Sequence, residues 1–545
     1  VAKPYSTLSE GERDLLWKGA GKIEGINDFF EYLEGKRYKL HVRVFLSRYR
    51  SPLPCAGCQG SRLRPEALWF NIQERNIHEA GDFPLDTLQQ WIHELPLSPF
   101  EQSLSLELLK ALEEKLSFLI SVGLNYLTLN REMRTLSGGE AQRIHLANQL
   151  GARLVGTQYV LDEPTIGLHP KDTEAMAAIL RDLAHRGNTV IVVEHDPFII
   201  QQADYVVEMG PASGEQGGGV ICAAPYETFR QHPRALTAQY LRGDRSIPVP
   251  EKRRAGTGHI LKLSGVREHN LKNLSVHLPL GKLICVTGPS GSGKSTLVED
   301  TVYRAIARAL KVDSTPPGTF DSLTGLQSLR SVCLIDQEPI GKSPRSNPVT
   351  YIKAYQEIRT LFAGSPEARR ARLTPAHFSF NTGKGRCPRC QGNGYEKLEM
   401  YFIADLYVPC ADCEGKRFQP KILNIRVKGY AIHEVLELTV DQALTAFGGT
   451  CPALRRSLQV LQMLGLGYLR LGQPATSLSG GETQRLKIAR ELSNTPSPSA
   501  KGDKPKGILY VLDEPTRGLH LEDVKRLLTV LGQLVEEGHN VLMLE

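Results

Sequence analysis

The chain has 545 residues, 41% of them hydrophobic and 23% charged, which is an ordinary globular composition and is enough for several domains. No stretch approaches the roughly 18 consecutive apolar residues of a membrane span, and no signal peptide opens the chain, so we predict a cytosolic protein that is not itself a membrane transporter. The net charge of +7 permits nucleic-acid binding, but another mildly basic soluble protein would show the same balance.

The first element with distinctive chemistry is the cysteine pair Cys55-x-x-Cys58. In a cytosolic protein such spacing indicates metal binding more than a disulfide. Residues 1–54 contain no second pair, so we expect the partner cysteines to lie upstream. Because the chain begins at Val1 rather than Met and stops within the apolar run Val541–Leu544, we expect a fragment of a longer protein.

Three motifs follow in the next part of the chain. They are Leu-Ser-Gly-Gly-Glu at Leu136–Glu140, the apolar run Gln158–Leu161 followed by Asp162 and Glu163, and the apolar run Val190–Val193 followed by Glu194, His195 and Asp196. Both apolar runs predict buried parallel strands. An acidic pair at a strand end can hold Mg²⁺ and orient an attacking water, although such a pair on its own is more often a helix cap.

A linker at residues 242–258, rich in proline and basic residues, is predicted to be exposed and extended. After it, Leu283–Thr287 predicts a buried strand, and a helix is predicted from about Ser295. Between them, the segment Gly288–Ser295 matches the phosphate-loop pattern G-x-x-x-x-G-K-[ST] in full. The strand before it and the helix after it are the context that separates a phosphate loop from a chance glycine-rich turn.

The phosphate loop predicts ATP binding. Its glycines let backbone N–H groups surround phosphates, and the following helix N-terminus favours an anion. Lys294 would neutralise the β- and γ-phosphates, and Ser295 would bind Mg²⁺. The candidate nucleotide-binding residues of the loop are Gly288, Ser290, Gly291, Gly293, Lys294, Ser295 and Thr296.

Four further cysteines predict a metal site. Cys387-x-x-Cys390 and Cys410-x-x-Cys413, with 19 residues between them, form two knuckles that suit tetrahedral Zn²⁺. Because four thiolates close the coordination sphere, we predict a structural rather than a catalytic site. The first knuckle also matches the Cys-x-x-Cys-x-Gly-x-Gly pattern of DnaJ-type chaperones, but that interpretation needs four clustered repeats and no ATPase, and the sequence offers neither.

The last part of the chain repeats the motifs of the first part. Leu136–Glu140 recurs 342 residues later as Leu478–Glu482, and Tyr159–Thr165 recurs 351 residues later as Tyr510–Thr516. The nine extra residues lie in a Ser-, Pro- and Lys-rich loop at residues 493–507. This duplication beside a phosphate loop favours a catalytic role for both acidic pairs over a helix cap.

The two Leu-Ser-Gly-Gly-Glu motifs, each followed by Gln-Arg, resemble the signature motif of ATP-binding cassettes. The resemblance implies that each signature contacts nucleotide held by the opposite copy, so the phosphate loop of the second copy needs the first signature, Ser137–Glu140. Neither composite site is expected to be complete, since one lacks its switch histidine and the other its phosphate loop. The resemblance implies that the signature residues contact nucleotide, namely Ser137, Gly138, Gly139, Ser479, Gly480 and Gly481. It implies Mg²⁺ binding for Asp162 and Asp513, and catalysis with the attacking water for Glu163 and Glu514. It also implies that His195 contacts the γ-phosphate and that Gln337 senses Mg²⁺ and water.

Over essentially its whole length the chain resembles the UvrA family, the damage-recognition components of the bacterial excinuclease. The more specific features are the two Asp-Glu-Pro-Thr-x-Gly-Leu-His segments, the zinc module between phosphate loop and signature, and the run Gly341–Pro348. The resemblance implies an α/β fold of tandem ABC-ATPase lobes with inserted zinc-binding signature modules. It also implies a cytoplasmic homodimer that uses ATP, Mg²⁺ and Zn²⁺, binds damaged double-stranded DNA and loads the excinuclease component UvrB in nucleotide excision repair.

The family binds duplex DNA along a positive groove, and basic residues flank the zinc module of this chain. The candidate DNA contacts are Lys342, Arg345, Lys384 and Arg386, with Arg369, Arg370 and Arg372 as further contributors. The alternative is a solvated basic surface without a DNA role.

Two features depart from the family pattern. The segment Tyr38–Val44 differs from the version expected in UvrA, and Arg517 stands where the family often has a small residue. The first departure keeps open a divergent paralogue that acts in drug resistance or regulation and does not load UvrB.

The predicted organisation has six segments. These are 1–135 as the remainder of the first signature and zinc insertion, 136–241 as the C-terminal part of the first lobe, 242–258 as a linker, 259–340 as the phosphate-loop part of the second lobe, 341–470 as the second signature and zinc module, and 471–545 as the truncated C-terminal part of the second lobe.

Overall fold

The computed structural model describes residues 5, 8–21, 24–47, 49–50, 55–136, 138–151, 154–212, 214, 217–289, 291–336, 338, 340–341, 345–398, 406–494 and 507–545. The chain forms two compact units: unit 1 is Val1–Pro96 with Thr128–Asn130, and unit 2 is Leu97–Leu127 with Arg131–Glu545. No helix in the described part of the chain combines the length and apolar character that crossing a bilayer requires.

Unit 1 is mostly helical, and side-chain caps fix where its helices begin. Ser9 Oγ accepts from the Glu12 amide while the Glu12 carboxylate accepts from the Ser9 amide, and Asn76 and Glu79 form the same reciprocal cap. Its elements are α1 (Glu10–Lys18), α2 (Ile26–Glu34), α3 (Leu40–Ser47), a 3₁₀ turn (Pro65–Trp69), the hairpin β1 (Asn71–Ile72) and β2 (Arg75–Asn76), α4 (Ile77–Gly81) and α5 (Leu85–His93).

The first copy within unit 2 contains one parallel strand pair and one antiparallel pair. Its elements are α6 (Pro99–Ser121), a 3₁₀ turn (Met133–Thr135), α7 (Gly138–Gly151), β3 (Gln158–Asp162), α8 (Pro170–His185), β4 (Thr189–Val193), α9 (Pro197–Gln201), β5 (Tyr205–Gly210), β6 (Gly219–Pro225), α10 (Tyr226–Arg230) and α11 (Leu236–Arg242).

The expectation of buried strands in this copy is wrong. Strands β3 and β4 are parallel, but Val160 is 65% exposed, Ile191 44% and Val193 51%. Among the described residues β3 pairs only with β4, so the sides of these two strands that neighbouring strands cover in the second copy are exposed to solvent in the first copy. The corresponding strand of the second copy has strands on both sides, and its Val511 and Leu512 are fully buried.

The second copy is built on two sheets and the helices that cover them. Its elements are β7 (Ile260–Val266), β8 (Leu274–Pro279), β9 (Leu283–Val286), a π-helical segment (Thr296–Tyr303), α12 (Arg304–Ala309), β10 (Ser322–Thr324), a 3₁₀ turn (Leu326–Ser328), β11 (Leu329–Ile335), a 3₁₀ turn (Ala475–Ser477), α20 (Gly480–Asn494), β16 (Gly507–Asp513), α21 (Leu521–Glu536) and β17 (Asn540–Leu544). A four-stranded parallel sheet has the order β11-β16-β17-β9, and a three-stranded antiparallel sheet has the order β10-β7-β8. One apolar core joins both sheets to the helix that follows the phosphate loop, with Val298, Val302 and Ile306 at its centre. The fold is α/β, with the tandem ABC-ATPase organisation expected from the sequence.

Residues between β11 and α20 form an inserted module, mostly of short helices. Its elements are α13 (Pro348–Tyr351), α14 (Tyr355–Ala363), α15 (Pro366–Arg370), β12 (Tyr395–Leu398), β13 (Leu406–Pro409), α16 (Pro420–Leu423), β14 (Arg426–Val427), β15 (Tyr430–Ala431), α17 (Ile432–Glu437), α18 (Val440–Phe447) and α19 (Pro452–Met463). A second, larger core runs from this module to α20 and α21, so the module is packed against the ATPase lobe. The metal knuckles and the second signature are therefore parts of one packed body.

Candidate nucleotide and metal sites

The phosphate loop joins β9 to the helix that follows it, as predicted, but the expected burial of this strand is wrong: β9 is only partly buried and Cys285 is exposed, because among the described residues β9 is an edge strand. Gly288, Gly291 and Gly293 have φ of 154°, 75° and 99°, a backbone that residues with a Cβ adopt at a cost. A Cβ on Gly293 would lie 2.8 Å from Asn270 Oδ1, so the loop also has no room for one. Lys294 Nζ donates to Gly288 O at 2.6 Å, which folds the ammonium over the loop. Ser290 lies outside the described residues.

The acidic strand end of the second copy lies beside this loop. Asp513 is the last residue of β16, and the next residue, Glu514, has φ of 43° and donates its amide to Leu544 O at 3.1 Å. Burial raises the pKa of Asp513 to about 6, and Glu514 adds to the rise while Arg517 and Lys294 oppose it. A buried carboxylate with a raised pKa is one that a divalent cation would stabilise.

The first copy repeats this geometry at its own strand end. Asp162 ends β3, and Glu163 has φ of 44° and donates its amide to Val193 O at 2.8 Å. A non-glycine residue in the left-handed region costs roughly 1–3 kcal/mol, and its presence at both glutamates indicates a functional constraint. Burial raises the pKa of Glu163, against the effect of His195, whose Nε2 lies 3.7 Å from Glu163 Oε1. The predicted switch histidine and catalytic glutamate of this copy are therefore neighbours.

A glutamine in each signature helix holds the acidic strand end, a role that the sequence did not reveal. Gln142 Nε2 donates to Asp162 O at 2.6 Å, and Gln484 Nε2 donates to Asp513 O at 2.7 Å. Gln484 is 2% exposed and also donates to Ile335 O at 3.3 Å, so it ties two strands to α20. The sequence signal for this contact was the glutamine that lies two residues after each Leu-Ser-Gly-Gly-Glu motif.

A second repeated contact fixes the loop after each acidic pair. Glu194 accepts from the Thr165 amide at 3.0 Å and from its hydroxyl, and Glu545 accepts from the Thr516 amide at 3.1 Å and hydroxyl at 2.8 Å. The residue before the switch-histidine position thus orients the loop in both copies. The repeated Asp-Glu-Pro-Thr sequence was the signal for this contact.

The two copies meet at these motifs in a head-to-tail manner. Tyr126 OH donates to Glu140 Oε1 of the first signature at 2.6 Å. The ring of Tyr126 also packs against Gly291 of the phosphate loop, where a Cβ would lie only 2.9 Å from Tyr126 Cδ2. Likewise, a Cβ on Gly518 would lie 2.7 Å from Glu163 Oε2. The loop of the second copy and the signature of the first copy therefore lie next to each other.

The signatures themselves begin helices. Gly138 and Gly139 open α7, and Gly480 and Gly481 open α20. Ser479 Oγ accepts from the Glu482 amide at 3.2 Å, so the serine caps its own helix. Ser137 and Gln337 lie outside the described residues, so their roles stay predictions.

Arg517 has a partner that the sequence did not suggest. Its Nη1 donates to Glu514 Oε2 at 3.0 Å, which fixes the direction of the predicted catalytic carboxylate. The first copy has Ile166 at the corresponding position, so the two acidic strand ends differ in charge.

A half-buried glutamate near the phosphate loop was also missed. Glu299 lies in the π-helical segment, and burial raises its pKa to about 7, with Asp513, Asp300 and Asp336 adding to the rise. Its Oε1 has no hydrogen-bond partner among the described residues. Nothing in the sequence distinguishes it from a solvated helix residue.

The four predicted metal ligands converge. Cys387, Cys390, Cys410 and Cys413 are all buried, and their Sγ atoms lie within 4.8 Å of one another. The Cys387–Cys410 and Cys390–Cys413 Sγ distances are 4.0 and 3.6 Å, close to the roughly 3.8 Å edge of a tetrahedron with 2.3 Å Zn–S bonds. These residues fit a tetrahedral metal, and the distances are far too long for a disulfide.

Two of the candidate DNA contacts, Lys384 and Arg386, immediately precede the metal ligand Cys387 in the chain. Lys384 is exposed, and Arg386 is held by backbone contacts, since its carbonyl accepts from Gln419 Nε2 at 3.0 Å and its Nη1 donates to Asn381 O at 3.3 Å. Arg369 and Arg370 form the exposed end of α15, and Arg372 follows them. Lys342 lies outside the described residues.

Proteins of known identity share this architecture. The chain is 46% identical over 524 residues to UvrABC system protein A of Methanothermobacter thermautotrophicus and 44% identical over 570 residues to that of Escherichia coli strain K12. These alignments cover 96% and 100% of this chain but 54% and 59% of the relatives, so the chain spans little more than half their length. The crystal structure of UvrA2 from Deinococcus radiodurans matches with a TM-score of 0.85 at 36% identity, covering 99% of this chain and 70% of that one. No family model matches the chain.

Proposed function

The chain belongs to the UvrA family, and we propose that it is an ATP-hydrolysing, DNA-binding protein that recognises damage in nucleotide excision repair. The observation that carries the proposal is that the signature of the first copy lies beside the phosphate loop of the second copy, because Tyr126 contacts both. Cassette ATPases of this kind use nucleotide to bring their two lobes together. The proposed partners are damaged double-stranded DNA, the excinuclease component UvrB and a second copy of the protein, in the cytoplasm.

In the proposed reaction, ATP·Mg²⁺ binds at Gly288–Ser295. Lys294 leaves its carbonyl partners for the phosphates, because an ammonium–phosphate contact is stronger than one to a neutral carbonyl. Ser295 would bind Mg²⁺ directly and Asp513 would hold it through water, and Glu514 would orient the attacking water. The first signature closes the site from the opposite lobe, while His195 and Glu163 serve the other composite site.

We propose that the four-cysteine cluster holds Zn²⁺ as a structural metal. Its ligands are all thiolates, so no position is left for substrate, and the chemistry that the ion supplies is cross-linking of two knuckles. The cluster fixes the backbone around Arg386, which would otherwise be a flexible loop.

We propose that Arg345, Lys384 and Arg386 contact DNA phosphates. Each phosphate contact releases counterions, so the affinity should fall with salt with a slope near −0.9 per contact for duplex DNA. Reversing these three charges together should flatten the slope and weaken binding to damaged and undamaged duplexes alike. The matched control reverses Lys252, Arg253 and Lys311, which are also exposed but lie in the linker and after α12.

The proposal as a whole is tested on the full-length protein by filter binding of a duplex with one bulky lesion, with and without ATP, together with capture by UvrB. Preference for the lesion duplex and ATP-dependent capture of UvrB are expected. An unchanged salt slope in the triple variant would place the DNA groove elsewhere. ATP hydrolysis without any UvrB capture would instead favour the divergent paralogue.

A further inference from the structure

A buried arginine lies beside the metal cluster, and no carboxylate among the described residues forms an ion pair with it. Arg417 is 7% exposed, and its Nη2 donates to the backbone carbonyl of Gly472 at 3.3 Å. Its Nη1 is buried and has no hydrogen-bond partner among the described residues. Its guanidinium carbon lies 5.4 Å from the centroid of the Phe380 ring. A buried cation left this way costs several kcal/mol unless another charge compensates it.

The compensating charge can come from the metal site itself. Arg417 follows Cys413 by four residues, its carbonyl accepts from the Cys387 amide at 2.8 Å, and its side chain packs beside Gly394. Zn²⁺ bound by four thiolates carries a net charge of about −2, which is as unfavourable in a buried setting as the lone guanidinium. Two buried charges of opposite sign stabilise each other strongly at low dielectric.

The first copy has an arginine at the corresponding place in the sequence, although Arg62 is exposed where Arg417 is buried. Arg62 follows Cys58 by four residues, and its φ of 63° matches the 69° of Arg417. Its Nη2 donates to the carbonyl of Asn130 at 3.5 Å. Asn130 precedes Ser137 of the first signature by seven residues, as Gly472 precedes Ser479 of the second. In each copy, therefore, an arginine that follows a Cys-x-x-Cys pair by four residues contacts the segment that leads into the signature motif of that copy.

We propose that Arg417 is the internal counter-charge of the four-thiolate metal site and the tether between that site and the segment leading into the second signature. This inference rests on the proposed zinc site. It goes beyond that proposal, because it states that the second signature, Leu478–Glu482, keeps its position only when the metal is bound. Ala475, within this segment, also donates its amide to Ser346 O at 2.7 Å, so the tether lies among packed neighbours.

The test compares zinc affinities, measured by competition with a chromophoric chelator. Arg417→Met removes the charge and keeps the length of the side chain, and zinc binding should weaken about 10- to 100-fold, as for other residues that support metal ligands. Arg417→Lys should recover most of the affinity, since it restores the charge. The matched control is Arg389→Met. Arg389 lies between Cys387 and Cys390 of the same metal cluster, but it is exposed and pairs with Glu396 and Asp412. The zinc affinity of this variant should stay within about twofold of the wild-type value.

A second measurement tests the tether by hydrogen exchange of residues 472–479. Chelation should reduce protection there in the wild type, and Arg417→Met should show reduced protection even with zinc bound. Wild-type zinc affinity in Arg417→Met, or equal weakening in Arg417→Lys, would overturn the counter-charge. If Arg417→Met does not fold, Arg417→Gln replaces it in both measurements, because it also removes the charge while keeping a polar side chain, and wild-type zinc affinity in that variant would overturn the counter-charge. Purified wild type without any zinc would contradict the metal proposal as well, whereas bound zinc with unchanged affinity contradicts this inference alone.

Discussion

Replacing Glu299 by glutamine should stabilise the phosphate-loop lobe, and only at neutral and alkaline pH. The Glu299 carboxyl is largely buried next to Asp513, Asp300 and Asp336, and its pKa is about 7 instead of the ordinary 4.5. The folded state therefore holds a proton between about pH 4.5 and 7 that the unfolded state has released. Stability must fall as pH rises through that window and level off above it.

The size of the effect follows from the two pKa values. Ionising this group in the folded state at pH 8 costs about 3 kcal/mol, and partial solvent access reduces that to about 2 kcal/mol. Glu299→Gln removes the ionisation and keeps the shape of the side chain. The variant should be more stable than the wild type by about 2 kcal/mol at pH 8 and equal to it near pH 4.

The assay is urea unfolding at pH 4, 6 and 8, with hydrogen exchange of the buried amides at Val298 and Val302 to report on this lobe specifically. The matched control is Asp321→Asn in the same lobe, which removes an exposed acid that is paired with Arg267 at 2.5 Å. Because this control loses an ion pair, it should be no more stable than the wild type at pH 8. A Glu299→Gln variant no more stable than wild type at pH 8, or equally stabilised at pH 4, would refute the reasoning.

Four further changes test the site. Lys294→Ala should abolish ATP binding in calorimetry, because the phosphates lose the side-chain cation of the loop, and retained affinity would contradict its role. In the full-length protein, Glu514→Gln should bind ATP normally but lose most turnover in a phosphate-release assay; turnover like that of the full-length wild type would refute the role given to Glu514. Gln484→Leu should cost about 1–3 kcal/mol in thermal or urea unfolding, since the carbonyls of Ile335 and Asp513 lose a buried donor, and no cost would show that water replaces it. Cys410→Ser should release the single expected zinc in elemental analysis and lower the melting temperature, because metal binding and folding are linked; full zinc content in the variant would contradict the ligand set.

Local patterns were enough to predict the phosphate loop, the repeat and the metal cysteines. In each case the chemistry depends on spacing along the chain, as at Gly288–Ser295 and the Cys-x-x-Cys pairs, so a single sequence contains the information. The exposure of β3 and β4 could not be predicted in this way. An apolar run shows that a strand can be buried, whereas its actual burial depends on which strands lie beside it in space.

The contacts that position the site were also beyond the sequence. The left-handed backbone at Glu163 and Glu514, the hold of Gln484 on Asp513, and the packing of Tyr126 on the phosphate loop all join residues far apart in the chain. Their sequence signal was repetition, which shows that a position is constrained without showing by what. Arg417 is similar, because a basic residue near cysteines usually indicates a solvated surface.

The central claim is that the first signature completes the nucleotide site of the second copy. The direct measurement is photo-cross-linking with an ATP analogue that carries a reactive group on its γ-phosphate, followed by peptide mapping. We predict labelling of the peptide with Gly138–Glu140, and loss of that label in Lys294→Ala. Labelling confined to the peptide with Gly480–Glu482 would contradict the head-to-tail arrangement.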